Sequence, residues 1–249
     1  MNLRIGTSGF AYKEWKGSFY PEKIRPAEML SFYAEQLPAV EINNTFYRMP
    51  KREVVEGWAA QVPDDFRFAI KASRRITHQK RIQDAGEELD YLLSVLEPLG
   101  DRLGTLLFQL PPYLRCDVGR LEAFLDQLDG RAPAALEFRH ASWQEDAVAR
   151  CLRERGVAWV VTETEEEQTP LCDVAEFGYL RLRRTDYDEA SLRDWWHRLR
   201  PQRWSELFVF FKHEDDGTGP AWAEEFLAIA GHARARSVRT AADVTEEAV

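Results

Sequence analysis

Eight short apolar, β-rich runs alternate with longer amphipathic stretches along the 249 residues, and this alternation constrains the fold more than any single motif. The runs fall at 3–8, 39–44, 66–72, 105–110, 135–139, 158–163, 178–183 and 207–213. Helical periodicity fills 27–37, 51–61, 85–98, 118–129, 145–155, 188–199 and 220–231. Segment 164–176 is acidic, contains Pro170 and reads as loop. Strand and helix repeated to eight strands predict a single α/β domain, a (β/α)8 TIM-type barrel over 1–236, followed by a polar tail over 237–249. Punctuation agrees with these bounds. Asp117 suits a helix N-cap, Pro26 a first helical turn and Gly156 a helix C-cap, and Pro63 follows the end of its helix. The alternative is an open doubly wound sheet, and the lack of a glycine-rich dinucleotide turn after the first run weighs against it.

Bulk properties narrow the function. No apolar run approaches the ~20 residues of a membrane span, so no membrane role is predicted. The start, "MNLRIGTSGF", has neither the basic nor the apolar part of a signal peptide. Cys116, Cys151 and Cys172 are sparse, odd in number and outside any CxxC pair, which fits a reducing compartment. Together these features predict a cytoplasmic protein. A formal net charge of −9 disfavours non-specific nucleic-acid binding unless positive charge is concentrated locally.

Strand parity then selects the candidate site, because successive side chains alternate between faces. With Val40, Ile42, Phe68, Ile70, Leu136, Phe138, Leu180 and Leu182 facing the helices, the residues between them face the barrel axis. Those are Glu41, Asn43, Lys71, Glu137, Arg139, Arg181 and Arg183, and Gln109 joins them from the fourth strand. Charged groups in a barrel that is normally filled with branched apolar side chains are costly unless paired or used. Two readings are open: a ligand or catalytic pocket at the C-terminal strand ends, or an ion-pair plug. In the first, Glu41 and Glu137 are an acid/base pair, with Lys71 and Arg139 beside them as catalytic charges.

Loops add binding candidates. The first loop carries Tyr12, Trp15, Phe19 and Tyr20, an aromatic set suited to stacking or to packing over the mouth. Thr45 and Tyr47 follow the second strand, His78 the third, and His140 and Trp143 the fifth. Lys212, with Arg181 or Arg183, supplies positive charge near "GTG" at 217–219, which reads either as an anion-binding loop or as a plain turn. No cofactor is predicted. A divalent metal would draw on His78, His140, His213, Glu41, Glu137 and Glu163, but no ligand motif joins them, so no residue is assigned to a metal.

The segments "GTSGF-Y-W---FYP", "VEINNTFYRMP", "F-FAIKASRRITH", "LFQLPP", "LEFRHASW", "FGYLRLR" and "VFFKHEDDGTGP" occur in that order. Through them the chain resembles the domain-of-unknown-function 72, or YecE-like, family from about Ile5 to Phe226. Phe10 stands where the family usually has Trp, and Glu163 where an Asp is common. The resemblance implies a TIM-barrel-like fold and no assigned activity. Likeness of such folds to barrel apurinic endonucleases and sugar isomerases is analogy only. The matching motif positions are Glu41, Asn43, Thr45, Tyr47, Lys71, Thr77, His78, Gln109, Glu137, Arg139, His140, Trp143 and Arg181. The function expected first is an enzyme, a hydrolase or isomerase, acting on a small, anionic, phosphorylated or sugar-like substrate. A metal-dependent phosphodiesterase on nucleic acid and a non-catalytic ligand-binding barrel are the alternatives.

Overall fold

The computed structural model describes residues 1–212 and 217–231. Its strands are β1 (Asn2–Ser8), β2 (Ala39–Ile42), β3 (Arg67–Lys71), β4 (Leu103–Gln109), β5 (Ala134–Glu137), β6 (Ala158–Glu163), β7 (Phe177–Leu182) and β8 (Glu206–Phe211). They form one closed all-parallel barrel in sequence order, with β1 running beside β8 from Asn2–Glu206 to Thr7–Phe211. Helices α1 (Met29–Gln36), α2 (Arg52–Ala60), α3 (Gly86–Leu96), α4 (Val118–Leu128), α5 (Asp146–Glu154), α6 (Glu189–Leu199) and α7 (Thr218–Ile229) fill the connections, except between β6 and β7. There the chain crosses as a loop, as its acidity and Pro170 suggest. This is the (β/α)8 architecture.

The element ends differ in detail from the apolar runs. Strand β2 stops at Ile42 because Asn43 already has helical backbone angles and opens a short 3-10 turn over Asn44–Phe46. Strand β5 stops at Glu137, two residues before its run ends, and α7 starts at Thr218. Gly217 has φ +75°, and a Cβ there would lie 2.5 Å from Ser18 Oγ, so its glycine serves a close approach to the first loop. The tail at 237–249, His232, and His213 with the acids Glu214, Asp215 and Asp216 lie outside the described residues.

Two cores explain the strand sequences. Val40, Ile42, Phe68, Ile70, Leu136, Leu180 and Leu182 pack outward against the helices. Inside the barrel, Ala39, Ala69, Ala135 and Ala158 face Tyr179, Phe208 and Phe210, with Leu107 and Val160. Alanine is a poor strand former. It stands here because aromatic rings from β7 and β8 fill the lumen, packed on one another with Tyr179 and Phe210 at 5.4 Å and Phe208 and Phe210 at 6.2 Å between centroids. Gly104 belongs to the same arrangement, since a Cβ there would come within 2.8 Å of the Phe208 ring.

Above this apolar filling the barrel turns polar. Ser8, Glu41, Lys71, Gln109, Glu137, Thr162 and Arg181 form the C-terminal layer, and it rests on Tyr179 and Phe210. Replacing Phe210 with alanine removes that support. Chemical denaturation should show a loss of about 3–5 kcal/mol, the usual cost of truncating a buried phenylalanine.

Candidate functional site

Arg181 organises the C-terminal layer. It is 1% exposed on β7 and spans the lumen to β2 and β5. Its Nε and Nη2 donate to Glu41 Oε2 and Oε1 at 2.8 and 2.7 Å, and its Nη1 donates to Glu137 Oε2 at 2.6 Å. Glu41 also accepts from Ser8 Oγ at 2.7 Å, Tyr179 Oη at 2.7 Å and Asn43 Nδ2 at 2.9 Å. Five donors fill the roughly four lone-pair positions of one carboxylate. Glu137 accepts one further bond, from Gln109 Nε2 at 2.8 Å, and keeps spare acceptor capacity.

The protonation states follow from the contacts. Burial alone would raise both carboxyls, but the Arg181 charge and the donated bonds reverse this. Glu41 is held down at about 2 and Glu137 is also lowered. Burial and the Glu41 charge raise Tyr179 well above a normal phenol, so it stays a donor. Glu41 is thus an ionised anchor for Arg181, and an acid/base pair made of Glu41 and Glu137 does not fit two carboxylates clamped by one guanidinium.

Lys71 is the opposite case. It closes β3 and is partly buried, and it forms no ion pair among the described residues. Its Nζ lies over the Phe46 ring, 4.4 Å from the centroid. Burial first, and then the Arg181 charge, push its pKa from 10.5 down to about 8, with Glu41 and Glu137 opposing. Arg183, just past β7, has a buried Nε with no partner. Burial and Arg181 lower its pKa as well. Strand parity turns Arg183 to the same side as Arg181 two positions before it, and the structure leaves it beside the same polar layer.

His78 packs perpendicular to the same Phe46 ring, with centroids 4.9 Å apart, and its Nδ1 is bonded to Thr77 Oγ1 at 2.9 Å. Burial, Lys71 and Arg139 lower its pKa, which favours the neutral imidazole. It sits in a π-helical turn over Arg75–Gln79 that runs into left-handed residues Arg81, Ile82 and Asp84. Ile82 at φ 59° is a strained conformation for a β-branched residue. It is held by burial and by its N–H bond to Ile76 O at 2.9 Å. Single-turn π-helices of this kind recur at functional sites.

Several predicted site residues stand elsewhere. Arg139 lies beyond the end of β5 and is exposed on the rim rather than inside the barrel. Trp15 is fully buried in the first loop's own aromatic cluster with Tyr12, Phe19 and Tyr20, and its ring offers no surface to a ligand. Trp143 is fully buried too, stacked on Phe138 with Nε1 donating to Leu114 O at 2.7 Å. Thr45 is buried and donates to Lys71 O at 2.6 Å, tying the β2 loop to the end of β3. Tyr12 is partly buried, with its hydroxyl bonded to Ser8 O at 2.7 Å. His140 accepts from Ser142 N at 3.1 Å and caps a short turn. Tyr47 is 72% exposed, and Lys212 is also exposed. Glu163, offered as a metal donor, accepts from Tyr187 Oη at 2.7 Å and Trp195 Nε1 at 2.9 Å, which fastens α6 to the barrel. Among the described residues no three His, Cys, Asp or Glu side chains gather as a metal would need. Cys116, Cys151 and Cys172 are free, and no helix is long and apolar enough to cross a membrane among those residues.

A cavity of about 940 Å³ lies at the opposite end, where Pro133, Val157 and Phe177 precede or open their strands. A smaller one of about 410 Å³ lies on the acidic loop after β6, between Glu163 and Asp186. Neither coincides with the polar layer. Chemistry on this fold belongs to the C-terminal strand ends, and there Lys71, Arg183, His78, Asn43 and Glu137 converge.

A family model described as "Protein of unknown function DUF72" matches residues 4–246. The UPF0759 protein YecE of Escherichia coli K12 is 34% identical over 141 residues, covering 54% of this chain and 52% of that protein. The UPF0759 protein YunF of Bacillus subtilis is 32% identical over 150 residues, covering 57% and 52%. The matched stretch thus spans about half the length of these curated relatives. Among solved structures, a DUF72 family protein from Thermotoga maritima superposes with a TM-score of 0.80 at 25% identity, covering 93% of this chain and 100% of that one.

Two measurements check the electrostatics. Unfolded Lys71 holds its proton up to 10.5, whereas the folded residue releases it near 8. Folding is therefore penalised below pH 8, and the penalty fades as pH rises toward 10.5. Lys71→Met should stabilise the protein at pH 7 by on the order of 1 kcal/mol after solvent screening, with the gain vanishing by pH 10 in thermal melts. Arg181→Met should do the reverse. It strands two buried carboxylates and should cost about 3–5 kcal/mol at pH 7, with partial recovery as acid protonates them.

Proposed function

This chain belongs to the DUF72 family, and from the geometry of its barrel mouth we propose that it is an enzyme acting on a small anionic substrate, phosphorylated or sugar-like. The observation that carries the reading is unspent positive charge. Lys71 and Arg183 lack ion-pair partners among the described residues, while Arg181 takes up both nearby carboxylates. Partly buried cations in this state cost stability and form a ready receptor for a phosphate or carboxylate. Glu137, with its spare lone pairs, and the Asn43 amide suit substrate hydroxyls. Arg139 and His78 border the same group, since the Arg139 charge acts on Arg183 and the Lys71 charge acts on His78.

A second reading rests on the rim. Arg48, Arg74, Arg75, Arg81, Arg115 and Arg139 are exposed on the loops after β2, β3, β4 and β5. Tyr47 and Tyr113 stand among them at 72% and 64% exposure. Local positive charge interleaved with aromatic rings suits a polyanion such as single-stranded nucleic acid, despite the net charge of −9.

Thermal shift and calorimetry with inorganic phosphate, sugar phosphates and short oligonucleotides separate the two. The first reading expects saturable binding of a phosphorylated small molecule that weakens at least tenfold in Arg183→Ala and falls as pH passes 8. Binding of oligonucleotides alone, with steep salt dependence and no loss in Arg183→Ala, would move the function to the rim.

A further inference from the structure

We propose that Lys71 is a covalent catalyst: its Nζ condenses with the carbonyl carbon of a small anionic aldehyde or ketone, with Arg183 holding the anionic group and His78 receiving the lysine proton. This rests on the anion-binding reading above and names the reactive group of the substrate.

Among the described residues one amine is left without a paired counterion. Two carboxylates lie close enough for their charges to act on Lys71, yet neither pairs with it. Arg181 holds both at 2.6–2.8 Å. A guanidinium is a fixed donor that does not deprotonate, whereas an amine desolvated next to cations is a nucleophile near neutral pH. Phe46 presents its face to Lys71 and packs perpendicular to the His78 ring, so one ring positions both groups. In the tautomer whose Nδ1–H donates to Thr77 Oγ1, the His78 Nε2 is the proton acceptor. Thr45 bonds the carbonyl of Lys71 itself, fixing the end of β3 from which the side chain projects.

The step balances without a cofactor. The ammonium gives a proton to His78. The nitrogen lone pair attacks the carbonyl carbon and forms the C–N bond, giving a carbinolamine after proton transfer to oxygen. Return of the His78 proton to that oxygen lets it leave as water, producing a protonated imine. The imine withdraws electrons from the adjacent carbon, which suits cleavage, condensation or isomerisation next to the former carbonyl.

Borohydride trapping tests this on the intact protein. The probe is glycolaldehyde phosphate, with uncharged glycolaldehyde as control, sodium cyanoborohydride as reductant and peptide mapping as readout. The chain has seven lysines, so every competing site is observed in one digest. The expected result is at least tenfold faster adduct formation at Lys71 than at any other lysine at pH 7.5. That preference should be saturable in the phosphorylated probe and slowed by inorganic phosphate. His78→Gln should slow trapping while leaving phosphate binding intact, and Lys71→Arg should abolish the site. Equal labelling of all lysines would overturn the proposal. If phosphate still bound in that case, the anion-binding reading would survive alone. Preferential labelling of Lys71 by both aldehydes, unaffected by phosphate, would keep the imine and sink the anion receptor.

Discussion

A single guanidinium sets the character of this barrel. Arg181 crosses the lumen from β7 and engages carboxylates on β2 and β5, so three strands that are not neighbours are tied at one level. Such a buried network is weak evidence for stability, since desolvating three charges offsets much of their attraction. Its structural effect is register, because Glu41, Glu137 and Arg181 meet only when their strands have the observed stagger. Its electrostatic effect is subtler. By absorbing both Glu41 and Glu137, it leaves Lys71 and Arg183 without ion-pair partners among the described residues. The ion-paired layer is one storey of the arrangement, and the partly buried cations Lys71 and Arg183 form a second above it.

The second storey depends on the loops. The short turn after β2 carries Phe46 into contact with both Lys71 and His78, and Thr45 beside it stitches that turn to β3. The strained run through Ile82 places the π-helical turn that bears His78. The rim is also unequal in charge. The loops after β2 to β5 present exposed arginines, while the connection after β6 presents Glu165, Glu166 and Glu167. An approaching anion therefore meets a field directed toward one side of the mouth.

Period-2 patterning was enough to identify the barrel and the inward residues of its polar layer, because Val40, Ile42, Leu180 and Leu182 can bury themselves only by turning Glu41 and Arg181 inward. It failed just past the strand ends. Arg139 continues the parity of β5 on paper, but the strand ends at Glu137 and the side chain goes to solvent. Aromatic residues misled for a related reason. Trp15 and Trp143 occupy loops at the C-terminal mouth of the barrel, yet large rings are the cheapest way to give such loops a core of their own. Arg183 was legible from spacing alone. What could not be read was which of several cations would lack a partner, since that depends on distances across the lumen between residues 140 positions apart.

The aromatic-to-alanine filling beneath the site has an evolutionary consequence. Tyr179, Phe208 and Phe210 occupy space that Ala39, Ala69, Ala135 and Ala158 concede from other strands. Enlarging one alanine leaves no room for the ring opposite, and shrinking one ring opens a void that no alanine fills. Substitutions at these positions are therefore coupled in free energy and non-additive. Lineages should exchange them in compensating pairs, so that covariation between β7–β8 and the alanine strands traces the barrel interior even where sequences have diverged beyond easy alignment.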